Sequence, residues 1–198
     1  MSNHSSEFFG DAGDEAKFRK YLYENKVFHM LMEPLKSDTI VKIEFSQGKD
    51  KDKDAIVKLC NSDSSFEIKE DKRCKDTGNI AIETWDDLSI SGIDATKSEY
   101  WINAAHSKSM VKTMRVGIIS VQELRSKLEE WKISKPMGFD SNRKMGKDYR
   151  ALGYLISEEL LFSVLKNEVR LDLEDYFTKT GVSRFGRSGN FTKRYKAW

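Results

Sequence analysis

The amino-acid sequence predicts an α+β protein, close to the α/β class, in which helices flank a mixed central β-sheet. Several short segments alternate apolar and polar residues, a pattern that predicts strands. Other segments combine helical spacing with capping residues, and the two kinds succeed one another along 198 residues, enough to bury a substantial core. A chain that is 38% hydrophobic with only two prolines is not generally disordered.

The first third of the chain predicts one helix and three strands. After a loose leader at residues 1–9, we expect a helix over 10–24, because acidic residues occupy its first turn and apolar Phe18 and Leu22 follow at helical spacing. Segments 39–45, 55–59 and 65–69 are strand-like, and turn residues separate them. Together they predict a three-stranded meander.

The middle of the chain continues the alternation of strands and helices. We expect a strand at 79–85, a helix at 96–106 and a strand at 114–120. A capping box, Ser120-Val121-Gln122-Glu123, then opens a helix that runs to about residue 131, and a last helix is expected at 157–167. Residues 10–131 would form the core, and 132–198 a basic C-terminal extension, either part of the same domain or a small appendage.

Charge is unevenly distributed along the chain. The net charge is only +2, which does not by itself mark a nucleic-acid binder. No acidic residue follows Asp175, however, whereas basic and aromatic side chains alternate between Lys179 and Trp198. Interleaved cations and aromatic rings suit contacts with nucleic-acid phosphates and bases, while a solvated terminal segment is the alternative.

The cysteines and the N-terminal segment bear on the compartment. Cys60 and Cys74 form no CxxC pair, which argues against a zinc site, although spacing alone leaves a disulfide open. The polar, acidic start lacks the apolar stretch of a signal peptide, and no window has the roughly 18 apolar residues that would span a bilayer. We therefore expect a cytoplasmic protein without membrane contact.

A candidate catalytic set lies on the second and third predicted strands. Because side chains alternate along a strand, Glu67 and Lys69 share one face and Phe66 and Ile68 share the other. Asp54 begins the preceding strand, so a hairpin would bring its carboxylate beside Glu67, although residues 50 and 52 are acidic alternatives for this role. Two carboxylates can hold Mg²⁺, and a lysine can assist an attack on phosphorus.

These residues resemble the motif of the PD-(D/E)XK nuclease superfamily, which has the restriction-endonuclease-like fold. The resemblance rests on Asp54, the hairpin and Glu67-Ile68-Lys69, and it covers about residues 10–131. The segment 77–83 (TGNIAIE), together with 91–93 (SGI) and 100–101 (YW), is similar to small phage-type members. Lys53 replaces the proline of the motif's name, a position that the superfamily keeps only loosely.

The resemblance implies a DNA endonuclease that depends on Mg²⁺ or Mn²⁺, expressed inside a bacterial host from a phage. Asp54 would bridge the metal, Glu67 and the Ile68 carbonyl would bind it, and Lys69 would act on the attacking water. Glu15 would add a fourth ligand, unless it only complements the helix dipole. Residues expected to contact nucleic acid are Lys72, Arg73, Lys75, Thr77, Asn79, Arg184, Arg187, Lys193 and Arg194.

Several alternatives remain open at the level of sequence. Glu67 and Lys69 alone would more often form a plain ion pair on a strand, and Glu83 is more simply a surface acid than part of the site. The protein could cleave RNA in place of DNA, or be a catalytically inactive nucleic-acid-binding or structural protein with the same fold. A homodimer is an alternative to a monomer, because many members of the superfamily act as dimers.

Overall fold

A computed structural model of the protein describes residues 13–36, 38–46, 53–86, 89–131, 137–140 and 150–182. The helices in these ranges are α1 (Asp14–Glu24), α2 (Val27–Met32), α3 (Cys74–Thr77), α4 (Gly92–Ala95), α5 (Val121–Glu130), α6 (Glu158–Phe162) and α7 (Leu173–Thr180). The strands are β1 (Ile40–Phe45), β2 (Ala55–Leu59), β3 (Asp63–Asp71), β4 (Asn79–Asp86), β5 (Ser89–Ile90), β6 (Tyr100–His106), β7 (Thr113–Ser120), β8 (Met137–Asp140), β9 (Arg150–Ser157) and β10 (Lys166–Asp172).

A curled, mixed central sheet forms the middle of the fold, and helices flank it. Its strand order is β1-β2-β3-β6-β7-β10, and among these neighbours only β3 and β6 run parallel. The predicted meander is confirmed, since β1, β2 and β3 pair in sequence as antiparallel neighbours. The predicted α+β class with a mixed sheet is confirmed as well.

Two apolar clusters cover the two faces of the central sheet. One cluster joins Phe66 and Ile68 of β3 to α1, α2 and Tyr176 of α7. The other joins Trp101 of β6 to β4, α5 and α6. Strand β3 is therefore apolar towards α1 and α2, and its other face turns towards the second cluster, which places Glu67 and Lys69 on that side.

A smaller second sheet packs over the second cluster. Its order is β5-β4-β9-β8, so the predicted strand at 79–85 exists but belongs outside the central sheet. Strand β9 pairs with β4, and β10 pairs with β7 at the edge of the central sheet. Segments from beyond residue 131 thus contribute to both sheets.

The predicted helix at 96–106 is wrong, because Tyr100–His106 is strand β6. It pairs on both sides, with β3 in parallel and β7 in antiparallel orientation, and six of its seven residues are buried. A strand buried on both faces shows a continuous apolar run in place of alternation, and such a run is easily mistaken for a helix.

The predicted helix at 157–167 is wrong in its second half. Helix α6 ends at Phe162, and strand β10 begins at Lys166, with Asn167 at a positive φ where its pairing with β7 shifts register. The capping box is confirmed, since the Ser120 hydroxyl accepts a hydrogen bond of 3.1 Å from the Glu123 N–H at the start of α5. The first helix is also confirmed from Asp14 onwards. Within the described ranges, no helix is both long and apolar enough to cross a membrane.

Candidate functional site

Asp54 lies at the point where strand β2 begins, beyond which β3 continues without β2 as a neighbour. Its N–H donates to the Phe66 carbonyl at 2.7 Å, the last bond of the β2–β3 ladder. Beyond it, the Ile68 N–H would lack a strand partner, and the Asp54 Oδ2 accepts from it at 2.7 Å. Because the N–H and carbonyl of one strand residue project to the same edge, we expect the Ile68 carbonyl on the Asp54 side of β3.

Glu67 is nearly buried, with 7% of its surface exposed. Its Oε1 lies 2.5 Å from the Lys69 Nζ, and its Oε2 accepts a hydrogen bond of 3.2 Å from the Thr96 hydroxyl. Burial raises the pKa of the Glu67 carboxyl, and the neighbouring Asp54 carboxylate raises it further against the lowering influence of Lys69 and Thr96. A further positive charge near Glu67 would therefore be favourable.

Lys69 is the most accessible member of the set, with 39% of its side chain exposed. Its ammonium also lies 5.9 Å from the centre of the Trp101 ring. Burial lowers the Lys69 pKa, but the carboxylates of Glu67, Asp54 and Glu83 outweigh it and hold the pKa above its ordinary value. Lys69 is thus protonated at neutral pH and acts as a cation and hydrogen-bond donor.

Glu83 and a following loop approach the same face from the second sheet. The Glu83 Oε1 accepts a hydrogen bond from the Ser91 hydroxyl, and Gly92, at φ +51°, packs directly against the Glu83 backbone. Arg125 of α5 donates to the Ile93 and Thr96 carbonyls, at 2.7 and 3.1 Å from its Nη2. The segment 91–96, which contains the short helix α4, is therefore fixed at both ends. The Thr96 hydroxyl at its end is directed at Glu67.

Arg19 of α1 links Glu15 to Asp54. Its Nη2 lies 2.6 Å from the Glu15 Oε1 and 2.6 Å from the Asp54 Oδ1. The Glu15 side chain is 69% exposed, whereas those of Arg19 and Asp54 are 13% and 12% exposed. Glu15 thus reaches the predicted site only through the guanidinium of Arg19.

The residues expected to contact nucleic acid divide into two groups. The first group lies between the end of β3 and the start of β4, in and around helix α3, and consists of Lys72, Arg73, Lys75, Thr77 and Asn79. Lys72 lies between Glu70 and Asp14, at 3.4 and 3.5 Å, and the Thr77 hydroxyl accepts from the Asn79 N–H at 3.1 Å to close the turn. The remaining predicted residues lie outside the described ranges, namely Arg184, Arg187, Lys193 and Arg194, as do the acidic alternatives at 50 and 52.

Three residues of the site could not be assigned to it from the sequence. Thr96, Arg19 and Arg125 come from a loop and two helices, and only the tertiary fold brings them to β3. A partial signal existed for the loop: segment 91–93 belongs to the pattern that resembles phage-type nucleases. Thr96 lies three residues beyond that segment.

The donor set suits a hard divalent cation. Asp54 and Glu67 supply carboxylate oxygens on neighbouring strands, and Mg²⁺ needs only one or two carboxylates when water and phosphate oxygens complete its shell. In the part of the chain that the structure describes, no cluster of three or more His, Cys, Asp and Glu side chains could hold a metal. The residues therefore fit a site shared with substrate and water, and they do not form a closed protein cage.

Comparison of the chain with models of protein families, with curated proteins and with solved structures finds no match.

Proposed function

We propose that the protein is a metal-dependent endonuclease that hydrolyses phosphodiester bonds in DNA. The observation that carries this proposal is that the Asp54 carboxylate accepts from the Ile68 N–H of β3 and lies near enough to Glu67 to raise the pKa of its carboxyl, with the Lys69 ammonium on Glu67. The PD-(D/E)XK core is part of the proposal. The meander and the parallel strand β6 support such a core, whereas the helix expected after the meander at 96–106 is replaced by β6, and the two helices between β3 and β6, α3 and α4, have four residues each.

Each residue would have a defined task in hydrolysis. A bound Mg²⁺ or Mn²⁺ would neutralise charge on the phosphate and make water more acidic. Asp54, Glu67 and the Ile68 carbonyl would hold that cation, and Thr96 would fix the Glu67 carboxylate. Lys69 would donate a hydrogen bond to the attacking water or to the phosphate oxygen on which charge develops. A P–O bond to water forms as the bond to the leaving 3′ oxygen breaks.

The cleavage of nucleic acid in defined metal conditions tests the proposal. Supercoiled plasmid, single-stranded DNA and RNA are each incubated with the wild type in Mg²⁺, Mn²⁺ or EDTA. We expect DNA cleavage with metal and none in EDTA. Asp54→Asn should lower the rate on the order of 100-fold or more, because it removes a charge from the proposed metal site.

Asp63→Asn is the matched control, because Asp63 is an exposed acid at the start of β3 and far along the strand from Lys69. This variant should cut like the wild type. A folded wild type that binds DNA but cuts neither DNA nor RNA would favour the alternative of an inactive nucleic-acid-binding protein. Cleavage of RNA alone would instead assign the same chemistry to a ribonuclease.

A further inference from the structure

Arg19 makes an unusual contact for a residue beside a proposed metal site. A single nitrogen, Nη2, lies 2.6 Å from one oxygen of Asp54 and 2.6 Å from one oxygen of Glu15. The other Asp54 oxygen is occupied by the Ile68 N–H. Arg19 therefore contacts the Asp54 oxygen that does not accept from the backbone, which is the more accessible of the two to a metal.

The rest of the Arg19 guanidinium is poorly matched to its surroundings. Its Nε is buried and has no hydrogen-bond partner within the described part of the chain. A buried donor without a partner is costly, so hydrogen bonding alone does not account for the position of this side chain. The position of the Arg19 side chain is explained by attraction to the negative charges of Asp54 and Glu15, which both accept a hydrogen bond from Nη2.

The balance of charge around Asp54 explains how Arg19 and a metal would interact. Asp54, Glu67 and Glu15 carry three negative charges, and Arg19 and Lys69 carry two positive ones. A divalent cation on Asp54 would lie within a few ångströms of the guanidinium, where like charges repel strongly because the site is largely shielded from water. A divalent cation and the Arg19 guanidinium would therefore compete for the Asp54 carboxylate.

We propose that Arg19 is a built-in counter-ion that occupies Asp54 in the metal-free protein and leaves it when the metal binds. Glu15 holds Arg19 beside the site after this exchange and does not bind the metal itself. Arg19 is in this sense a positioning residue: it holds the Asp54 carboxylate in its orientation until the metal replaces it. The inference rests on the proposed function, because it requires a metal on Asp54.

Binding of Mn²⁺ to purified protein, measured by calorimetry together with melting temperature in EDTA, tests the exchange. Arg19→Ala should bind Mn²⁺ about tenfold more tightly than the wild type, because the competing cation is gone. The same variant should melt at a lower temperature in EDTA, since Asp54 then lacks its counter-ion. The gain in Mn²⁺ affinity should shrink at high salt, which screens the competing charge.

Two further variants keep the test decisive. Lys20→Ala removes a neighbouring charge of the same helix that pairs with Glu24, so its Mn²⁺ affinity should match the wild type. Arg19→Lys keeps the charge and serves if the alanine variant does not fold; its affinity should remain close to that of the wild type. An Arg19→Ala variant that binds Mn²⁺ no better than the wild type overturns the exchange and leaves the metal site standing. A wild type and an Arg19→Ala variant that both bind no Mn²⁺ overturn the metal site as well.

Discussion

Glu67 and Lys69 form an ion pair in which both pKa values are raised, and this shared direction defines the role of each residue. Burial disfavours the charged form of the Glu67 carboxyl and so raises its pKa. The surplus of acids around Lys69 makes its ammonium hard to deprotonate, although burial acts in the opposite direction. At neutral pH Lys69 is therefore a fixed positive charge, which in the proposed mechanism would act on a phosphate or a water molecule, and it is unsuited to remove a proton.

Glu158 is a further buried carboxylate besides Asp54 and Glu67, and its contacts are structural. It accepts hydrogen bonds from Ser107, from the Lys108 N–H at 3.0 Å and from Arg115 at 3.2 Å. Burial raises the Glu158 pKa, but these donors together hold it below its ordinary value. Glu158 thus fixes the loop between β6 and β7 to the start of α6.

We predict that Glu158→Gln lowers the free energy of unfolding at pH 7 by about 3 kcal/mol, because Arg115 loses its buried partner. A lowered folded pKa gives stability that is present above the unfolded pKa and is lost as pH falls through the folded value. The wild type should therefore lose stability below about pH 4.5, and Glu158→Gln should show a shallower loss. Urea unfolding between pH 3 and 7 measures both effects.

Glu159 provides the control for this prediction. It pairs with the same Arg115 at 3.4 Å, but its side chain is 69% exposed. Glu159→Gln should cost less than about 1 kcal/mol, as exposed ion pairs usually do. Equal losses for the two variants would show that burial of Glu158 contributes little.

The sequence was sufficient to predict the positions of residues that depend only on strand alternation and on a short hairpin. Glu67 and Lys69 share a face because of strand alternation, and Asp54 lies beside β3 because a short hairpin joins the two strands. Arg19 and Thr96 could not be predicted in this way, since each depends on how a separate element packs against the sheet. The exposed position of Glu15 depends in the same way on the rotation of α1.

At the scale of elements, the loop between β5 and β6 links the second sheet to β3. Gly92 makes the closest approach in this loop: a Cβ there would lie 2.1 Å from the Glu83 carbonyl oxygen. Its φ of +51° also belongs to the left-handed region that glycine tolerates best. Both features require glycine at this position if Ser91 and Thr96 are to keep their contacts.

We predict that Gly92→Ala lowers the rate of DNA cleavage by about 100-fold, because the loop must move and Thr96 then releases Glu67. Stability should also fall, by about 1 kcal/mol or more. Cleavage rates under saturating metal and urea unfolding are the two measurements.

Gly181→Ala separates backbone strain from close contact. Gly181 has a similar φ of +64°, but no atom of the described residues lies within 4 Å of the position of its Cβ. This variant should lose stability and keep the wild-type rate of cleavage. If Gly92→Ala also keeps that rate, the loop does not position Thr96 for catalysis.

The misassigned element, β6, shows where element prediction from sequence is limited. Tyr100–His106 pairs with strands on both sides, so all but the first of its residues are buried, and no periodicity distinguishes it from a buried helix. Strands β1, β2 and β3 were predictable because turn residues separate them and polar residues alternate with apolar ones. The conformation of β6, by contrast, depends on strand partners that are distant along the chain.

At the scale of the whole molecule, the site forms where three layers meet. Helix α1 contributes Arg19 from one side of the central sheet, β2 and β3 contribute the carboxylates and Lys69, and the β4–β5–α4 segment contributes Glu83 and the loop with Thr96. The C-terminal strands β9 and β10 complete the second and central sheets. Sequence could not predict that β4 leaves the central sheet, because its apolar alternation fits either sheet.

A double-variant cycle in DNA cleavage tests most directly whether Asp54 and Lys69 belong to one catalytic centre. The rates of wild type, Asp54→Asn, Lys69→Ala and the double variant are measured on plasmid DNA at saturating Mg²⁺, with folding checked by circular dichroism. Residues that act as a unit show losses that do not multiply. We predict that each single variant loses about 100-fold or more and that the double variant is no slower than the slower single one. Losses that multiply, or a single variant that cuts at the wild-type rate, would contradict a shared centre.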